Sequence, residues 1–397
     1  MLKGIRVVEL ATYIAAPSAG GIMADWGADV IKIEPLKGDP IRNFFGNLGV
    51  ESDSNAIFDL DNRGKRSVTI DTSSEEGNAL LKRLLKDADV FLTNIRPGGL
   101  DRAGLDYESV KAINPKIIYT SVSGYGLEGE ERDRPGFDQA AFWARSGVGS
   151  LMTPKDTEPV ALRTALGDHV TGMATVGGIL AALLERTNTG EGRQVETSLL
   201  RTGIYSLGSD FAVQMAFGRV ASTRPRHFAN QPLNNFFKSS DGHWFTLLPR
   251  QSEEDWHAIA RATNLERLIE EERFTGGKAR RDNSEELVDM LDDAFAQFTL
   301  KEIGDRLDKE DLVWAPVQTP REVLEDPQAR AAGAFTEIPT HDGGTTPTPA
   351  SPVRFGGFST DPKGPAPHVG QHNDEVLREA GLSEEDIAAL RDKRAIG

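Results

Sequence analysis

Residues 4–34 read GIRVVELATYIAAPSAGGIMADWGADVIKIE, and this stretch decides the fold. It opens on a short apolar run, and it closes on a second one, ADVIKIE, that ends in an acid. Between the two runs, small residues lead into a predicted helix, with Gly27 placed to end it. The stretch therefore predicts a strand–helix–strand unit, the building block of a parallel sheet.

The loop after the first predicted strand argues against a dinucleotide site. Folds that bind dinucleotides carry G-x-G-x-x-G at this turn, because glycine lets the backbone approach the pyrophosphate. Here residues 15–21 read AAPSAGG instead. A nicotinamide or flavin site is therefore poorly supported.

The alternation of strands and helices continues along the first half of the chain. Strand-like runs follow at RSVTID (66–71), DVFLTNI (89–95) and KIIYTSVSGYG (116–126). A helix is predicted from the capping residues 73–76 onward, with leucines spaced along one face. The sequence therefore predicts an α/β fold with a mostly parallel sheet.

The pattern changes after residue 190. TGEGRQVETSL leads into a predicted long helix that reaches about residue 217, with Leu199 and Ile204 on its buried side. FFKSSDGHWFTL (236–247) predicts a hairpin, and residues 252–310 are charged and helical. HDGGTTPTPASP (341–352) is predicted to be a loop, and the tail is predicted to form two short helices.

Composition limits the classes of function. The net charge of −16 over 397 residues argues against binding to nucleic acid, and the absence of cysteine excludes disulfides, thiolate catalysis and cysteine-ligated metals. The longest apolar run, residues 178–184, is too short to span a bilayer. With no signal-peptide pattern at the first residues, we expect a cytoplasmic protein without a membrane partner.

Asp168 lies in LRTALGDHVTGM (162–173), at the predicted start of an apolar helix. A helix N-terminus favours negative charge, so we expect the carboxylate to stay ionised and to be able to act as a nucleophile. Gly172, Gly177 and Gly178 would let another backbone or a ligand approach this helix closely. The alternative for Asp168 is a plain helix cap.

With these segments in this order, the chain resembles the class III (family III) CoA-transferases. That family includes formyl-CoA, carnitine and phenyllactate CoA-transferases and 2-methylacyl-CoA racemase. The resemblance covers nearly the full length. It rests on VELATYIAAPSAGGIMADWGADVIKIEP (8–35), NRGKRSVTID (62–71), TNIRPGGLDRAGLDY (93–107), PKIIYTSVSGYG (115–126), RPGFDQAAFWARSG (134–147), ALGDHVTGM (165–173), TGEGRQVETSL (189–199) and GQHNDEVLREAGL (370–382).

The resemblance implies a Rossmann-like large domain built from both ends of the chain and a smaller α+β domain, in an interlocked homodimer. The large domain would comprise residues 1–200 and 335–397. Residues 201–224 would form a linker helix and residues 225–330 the small domain.

The resemblance also implies a mechanism. Asp168 would attack an acyl-CoA thioester, form an anhydride and then an aspartyl-CoA thioester, and pass CoA to an acceptor carboxylic acid. Asp138 would orient it. No metal and no cofactor beyond CoA, as co-substrate, would be needed.

The CoA contacts carry over from the family motifs. Arg102 suits the diphosphate, since guanidinium binds phosphate in a bidentate manner. Surface charge is the alternative for the basic residues. The implied CoA-binding set is Ile14, Ala15, Lys65, Arg66, Ile70, Asn94, Ile95 and Arg102.

Two departures from the family motifs narrow the activity. The racemase branch carries G-H-D where this chain has Gly136-Phe137-Asp138, which counts against racemisation, and His169 is not expected to face the same way as Asp168. The glycine-rich loop of the formyl-CoA branch is missing between residues 220 and 260.

The substrate is therefore expected to be larger than formate or oxalate. Phe137, Phe142 and Trp143 are candidate walls of a pocket for aryl, branched or dicarboxylic acids, with a role in the core as the alternative. Two other functions stay open: α-proton transfer of the 2-methylacyl-CoA racemase type, and a non-catalytic subunit that binds CoA esters.

Overall fold

The computed structural model describes residues 1–50, 55–250 and 252–397 and contains two compact units. The larger unit comprises Met1–Gly149, Ala161–Gly218 and Ala331–Gly397, and the smaller one comprises Ser150–Val160 and Arg219–Arg330. Residues 201–218, which were predicted to belong to a linker helix, thus lie in the larger unit.

Six parallel strands form the sheet of the larger unit. They are β1 (Arg6–Leu10), β2 (Asp29–Glu34), β3 (Arg66–Thr69), β4 (Val90–Thr93), β5 (Ile118–Ser123) and β6 (Arg193–Ser198). Their order is β3-β2-β1-β4-β5-β6, so the direction of winding reverses between β1 and β4. The predicted α/β fold with a parallel sheet is confirmed, although β6 was missed because it was read as part of the approach to a helix.

Helices cover both faces of this sheet and form two buried apolar clusters with it. In chain order, the helices of this part are α1 (Ala15–Asp25), α2 (Phe44–Asn47), α3 (Ala56–Asn62), α4 (Glu75–Leu85), α5 (Pro97–Ala103), α6 (Tyr107–Ile113), α7 (Val148–Met152), α8 (Leu166–Thr189), α9 (Leu199–Ser206) and α10 (Gly208–Phe217). A π-helix spans Gln139–Arg145, and a 3-10 turn spans Pro40–Asn43. One face holds α1 and α8, and the other holds α4 and the end of the chain.

The 24 residues of α8 are long and apolar enough to cross a membrane by length and composition alone, and 44% of its most apolar window is buried. Val176, Ile179 and Leu183 pack in the cluster shared with β1 and α1. This packing is that of a core helix, and the expected cytoplasmic location stays a prediction.

The prediction of one long helix up to about residue 217 is wrong, because the segment forms two helices. They are α9 and α10, and Leu207 lies between them. Leu199 is buried as expected, but Ile204 is 39% exposed. The helix pair therefore leaves part of its apolar surface uncovered within the chain.

The smaller unit packs helices against a short antiparallel sheet. Its elements are β7 (Asn235–Lys238), β8 (Trp244–Leu247), α11 (Glu253–Ala262), α12 (Gly277–Asp282), α13 (Ser284–Phe295), α14 (Leu300–Lys309), β9 (Trp314–Pro316), α15 (Pro320–Glu325) and α16 (Pro327–Ala331). The predicted hairpin is confirmed by the pairing of β7 with β8. Phe237, Phe245, Trp256 and Phe295 lie in its core.

The C-terminal segment returns to the larger unit. It forms β10 (Phe335–Pro339), β11 (Thr345–Pro349), α17 (Asn373–Glu379) and α18 (Glu384–Asp392). Asn373 accepts the Thr69 N–H (2.9 Å), so both ends of the chain build this unit. The prediction of a loop at 341–352 is wrong in part, since β11 lies there and pairs with β10. Both strands of a two-stranded ribbon are edge strands, in which prolines are tolerated.

Candidate active site

The loops after β1 and β4 meet where the strand order reverses. Asn94 joins them: its side-chain N–H donates to Thr12 O (2.7 Å), and its Oδ1 accepts the Thr12 N–H (3.1 Å). Ligands of open α/β sheets bind in the crevice at such a point, outside the carboxyl ends of the strands. Asn94 therefore shapes the edge of this crevice through the backbone of its neighbour.

The loop after β1 has one defined backbone conformation. Tyr13 has a φ of +63°, which is uncommon for a residue with a side chain. Its N–H donates to Asp39 Oδ1 (3.1 Å), and the carbonyl of Ala11 accepts from Lys32 Nζ (3.1 Å). Such a conformation persists only where the surroundings hold it, and it is typical of functional sites.

A buried ionic cluster holds this loop from below. Lys32 Nζ lies 3.2 Å from Glu9 and 2.8 Å from Asp39, and Lys65 Nζ lies 2.8 Å from Glu9. All four side chains are inaccessible to solvent. Gly20 is required beside them, because a Cβ there would overlap Glu9 and lie 3.0 Å from Lys65. The glycine of the AAPSAGG stretch thus lets α1 pack against buried charge.

The placement of Lys65 corrects its assignment to the CoA site. Its ammonium donates to Glu9, to the carbonyl of Pro17 (2.8 Å) and to Asn62 (3.0 Å), which uses its three hydrogens. Burial first, and then the neighbouring Lys32, lower the pKa of Lys65 to about 8, against the attraction of Glu9. Lys65 is therefore a structural residue that fixes the first turn of α1.

The assignments of the Arg66 and Ile70 side chains to the CoA site are also corrected. Arg66 begins β3 at the opposite, amino edge of the sheet, where its guanidinium pairs with Asp29 (2.6 Å) and Glu379 (2.8 Å). Ile70 is 2% exposed in the apolar core, and its N–H donates to Glu34 O (2.9 Å). Neither side chain is placed to reach a ligand at the carboxyl edge.

Asp168 lies in the first turn of α8, close to the first turn of α1. The turn begins after Ala165, whose φ is +68°. One turn after Asp168, Gly172 contacts α1 so closely that a Cβ would overlap Ser18 Oγ and lie 3.1 Å from Ala15 O. The predicted close approach is thus confirmed at Gly172. At Gly178 a Cβ would lie 2.8 Å from Val195, whereas a Cβ at Gly177 would meet no described atom within 4 Å beyond the adjacent backbone of α8.

The electrostatics of Asp168 differ from the expectation that it stays ionised. Burial first, and then the charge of Asp138, raise the pKa of Asp168 to about 7. Asp61 adds to this rise, and His169 opposes it. The helix N-terminus alone therefore does not keep this carboxylate charged, because desolvation and two like charges outweigh it.

Asp138 lies just before the π-helix, and its two carboxylate oxygens differ in their hydrogen bonds. Oδ1 accepts the Gln139 N–H (2.7 Å), while the buried Oδ2 has no hydrogen bond among the described residues. The preceding Phe137 packs edge-to-face on Tyr13, with ring centroids 5.4 Å apart. This contact holds the segment of Asp138 beside the loop after β1.

Asp61 and His169 complete the group, although Asp61 was not predicted from the sequence and His169 was not expected to face Asp168. His169 Nε2 lies 3.2 Å from Asp61 Oδ1, and Asp61 is 4% exposed. Burial alone would lower the pKa of His169, but the hydrogen bond and charge of Asp61, with Asp168 and Asp138, raise it. No local sequence signal marks a pair that lies 108 residues apart in the chain.

The other predicted residues fall into two groups. Ile14 and Ala15 are 5% and 8% exposed at the start of α1, and Ile95 packs against the apolar core. Arg102 is exposed on a cavity of 720 Å³ that Ser74 and residues of α4 line, and the described residues offer it no ion pair within 4 Å. Arg102 is thus available for an anionic ligand.

The three predicted pocket aromatics have different surroundings. Phe137 is 57% exposed. Phe142 is 3% exposed and lies directly against Gly167, where a Cβ would overlap its ring, so it supports the start of α8 from the core. Trp143 is half-buried and packs against the apolar cluster that contains Phe142. The assignment of Phe142 as a pocket wall is therefore corrected.

Comparisons with known proteins bear on this arrangement. The family model described as CoA-transferase family III matches residues 2–373. An (R)-2-hydroxy-4-methylpentanoate CoA-transferase of Clostridioides difficile is 35% identical, covering 100% of this chain and 99% of the relative. A cinnamoyl-CoA:phenyllactate CoA-transferase of Clostridium sporogenes is 32% identical, covering 100% and 97%. The crystal structure of a CAIB/BAIF family protein from Brucella suis superposes with a TM-score of 0.83 at 31% identity, covering 95% of this chain and 98% of that chain.

Proposed function

The chain belongs to CoA-transferase family III, and we propose that it moves CoA from an acyl-CoA to an acceptor carboxylate through covalent intermediates on Asp168. The observation that carries the proposal is the position of Asp168. It lies in the first turn of α8, one turn from the contact of Gly172 with Ala15 of α1. Carboxylates Asp138 and Asp61 interact with it from other segments.

The proposed reaction needs only the carboxylate and the two substrates. An Asp168 oxygen attacks the thioester carbonyl, the C–S bond breaks, and an acyl–aspartyl anhydride and CoA thiolate result. The thiolate attacks the aspartyl carbonyl, which gives aspartyl-CoA and releases the donor acid. The acceptor carboxylate then attacks this thioester and displaces the thiolate. The thiolate takes the acceptor acyl group from the second anhydride and frees Asp168.

We propose that CoA approaches along the loops after β1 and β4. Ile14 and Ala15 would lie beside the thioester, and Asn94 and Ile95 along the chain of the cofactor. Arg102, which has no ion pair among the described residues, would bind the diphosphate. Lys65, Arg66 and Ile70 have no part in this proposal.

For the substrate we propose an organic acid larger than formate or oxalate. The relatives named above act, by their names, on 2-hydroxy-4-methylpentanoate and on phenyllactate. The exposed edge-to-face pair of Tyr13 and Phe137 lies next to Asp138, and exposed aromatic rings favour apolar acyl chains. Branched or aryl acids suit this surface better than small anions do.

A homodimer is part of the proposal. Tyr205, Met215 and Phe217 on α9 and α10 are 75–86% exposed, and Leu184 of α8 is 68% exposed. Large apolar side chains exposed to this degree favour an interface between proteins, and we assign them to a second copy of this chain. Light scattering on the purified chain, with Met215→Glu as a disruptive variant, tests whether the wild type has twice the mass of its chain.

Self-exchange tests the function without knowledge of the acceptor. The chain is incubated with a branched or aryl acyl-CoA and the same free acid carrying a ¹³C label. The mechanism predicts that the label enters the acyl-CoA while the total thioester stays constant. Loss of thioester without exchange would mean hydrolysis, and no exchange with any of several branched, aryl and dicarboxylic donors would contradict the proposal.

A racemase-type α-proton transfer is the second candidate function. An Asp168 pKa of about 7 suits a general base. Deuterium uptake from solvent at the α-carbon, in the absence of an acceptor acid, distinguishes this activity from transfer.

A further inference from the structure

The ion pair of His169 with Asp61 lies at the nucleophile but has no part in the bond-making steps above. His169 follows Asp168 in the first turn of α8, and its Nε2 faces Asp61 Oδ1 at 3.2 Å. Asp61 is buried on α3, and its second oxygen has no hydrogen bond among the described residues. The His169 side chain is 38% exposed. The histidine therefore has one fixed, charged partner and one open side.

His169 supplies a positive charge among the carboxylates that interact with Asp168. Three carboxylates interact there: Asp168 on α8, Asp138 before the π-helix and Asp61 on α3. The first turn of α1, which also packs on α8, contributes the uncharged residues Ala15, Ser18 and Ala19 where it meets Gly172. His169 is the side chain whose positive charge acts on Asp168. Lys65 interacts with Asp61 as well, but its ammonium, like that of Lys32, forms its ion pair with Glu9.

We propose that His169, held by Asp61, is a positioning residue whose positive charge favours the ionised form of Asp168 in the resting site. The inference rests on the proposed function, since it assumes that ionised Asp168 is the nucleophile. Asp61 has two effects: it repels Asp168 directly, and it anchors the imidazolium.

The protonation directions agree with this role. Asp61, Asp168 and Asp138 raise the pKa of His169 against the effect of burial, so the imidazole is protonated to a higher pH than usual. The carboxyl of Asp168 must lose its proton before it attacks. Removing the imidazolium raises the pKa of Asp168 further, so a larger share of the enzyme is protonated and inactive near neutral pH.

The test is the pH dependence of Asp168 loading by acyl-CoA, measured as hydroxamate formed in hydroxylamine. In His169→Gln, the acid limb of the profile is expected to move up by about one pH unit, with a loss of about tenfold at pH 6 and of less than about threefold at pH 9. His243→Gln, an exposed histidine of the smaller unit, is the matched control and should leave the profile unchanged.

Two outcomes would overturn the inference. One is an unchanged profile in His169→Gln, and the other is an equal loss at every pH, which marks a merely structural role. Loading absent in the wild type would instead be a failure of the proposed function. Asp61→Asn offers a second readout: the titration of His169, assigned among seven histidines by ¹³C labelling, should move to lower pH. An unmoved titration would show that Asp61 does not hold the charge.

Discussion

The amino ends and the carboxyl ends of the six parallel strands form two opposite edges of the sheet. Both carry clusters of acidic and basic side chains, but the clusters differ in burial. At the amino edge, Arg6 and Arg66 pair with Asp29 and Glu379, and these side chains are 15–39% exposed. We call these four residues the amino-edge cluster. Water shares in solvating each of these pairs, so each pair contributes only about 0–1 kcal/mol to stability.

At the carboxyl edge, the same chemistry is fully buried. Glu9, Lys32, Asp39 and Lys65, the carboxyl-edge cluster, have no exposed side-chain surface. A buried charge that loses its partner cannot turn to water, so every member depends on the others. The amino-edge cluster therefore ties the two ends of the chain together, while the carboxyl-edge cluster uses buried charge to fix the loop after β1.

The largest expected effect comes from Asp168→Asn at the carboxyl edge. The amide is neither charged nor nucleophilic, so we expect CoA exchange to fall by about 10⁴-fold or more. Asp29→Asn in the amino-edge cluster is the matched control and should retain activity within about twofold. Equal activity in both variants would contradict the distinction between the edges.

Lys65→Met tests the buried cluster itself. The change leaves Glu9 with one cation instead of two and removes the donor from Pro17 O and Asn62. We expect a loss of about 3–5 kcal/mol in the free energy of unfolding, measured by denaturant titration. Arg6→Met, which breaks the exposed pairs, should cost about 1 kcal/mol or less. Similar losses in both variants would show that burial does not separate the clusters.

Gly172→Ala probes the contact of α1 with α8. A Cβ would overlap Ser18 Oγ, so the two helices must separate, at a cost of about 1–3 kcal/mol. Gly177→Ala on the same helix meets no described atom within 4 Å and should stabilise the isolated chain by roughly 0.5–1 kcal/mol. Thermal unfolding of the two variants should therefore shift in opposite directions, and a shift in the same direction would refute the close contact.

The smallest expected effect is a pH dependence of stability at Asp168. Burial and Asp138 raise its pKa to about 7, so between about pH 4 and pH 7 the folded chain holds a proton that the unfolded chain has released. The stabilisation is present at low pH and is lost as the pH rises through this range. Asp168→Asn stays neutral throughout and should gain about 2–4 °C in Tm over the wild type at pH 8, but nothing at pH 4. A gain that is equal at both pH values would contradict the raised pKa.

Local patterns were enough to predict most of the sheet. The apolar runs of β1, β2 and β4 are short and continuous, which is typical of buried parallel strands. RQVETS in β6 is half exposed and lacks such a run, so it was missed. The strand β11 was also missed, because its sequence TTPTP contains two prolines, which are rare in strands.

The site was predicted less completely, because its charges are paired over long distances in sequence. Asp168 was found from its place before an apolar helix and from the family motifs. Asp61 has no local signal, since its partner is distant in the chain. Lys65 and Arg66 are adjacent in sequence and both basic, yet one is buried in the carboxyl-edge cluster and the other pairs at the amino edge. Only the three-dimensional structure separates them.

Hydroxylamine trapping tests the central claim most directly. The chain is incubated with a branched or aryl acyl-CoA, treated with neutral hydroxylamine and digested with trypsin, and the peptide of residues 164–186 is weighed. We predict a hydroxamate on Asp168 that appears only with acyl-CoA. The Asp29→Asn control should give the same result as the wild type. An unmodified peptide, in protein that binds CoA and exchanges the label, would contradict Asp168 as the nucleophile.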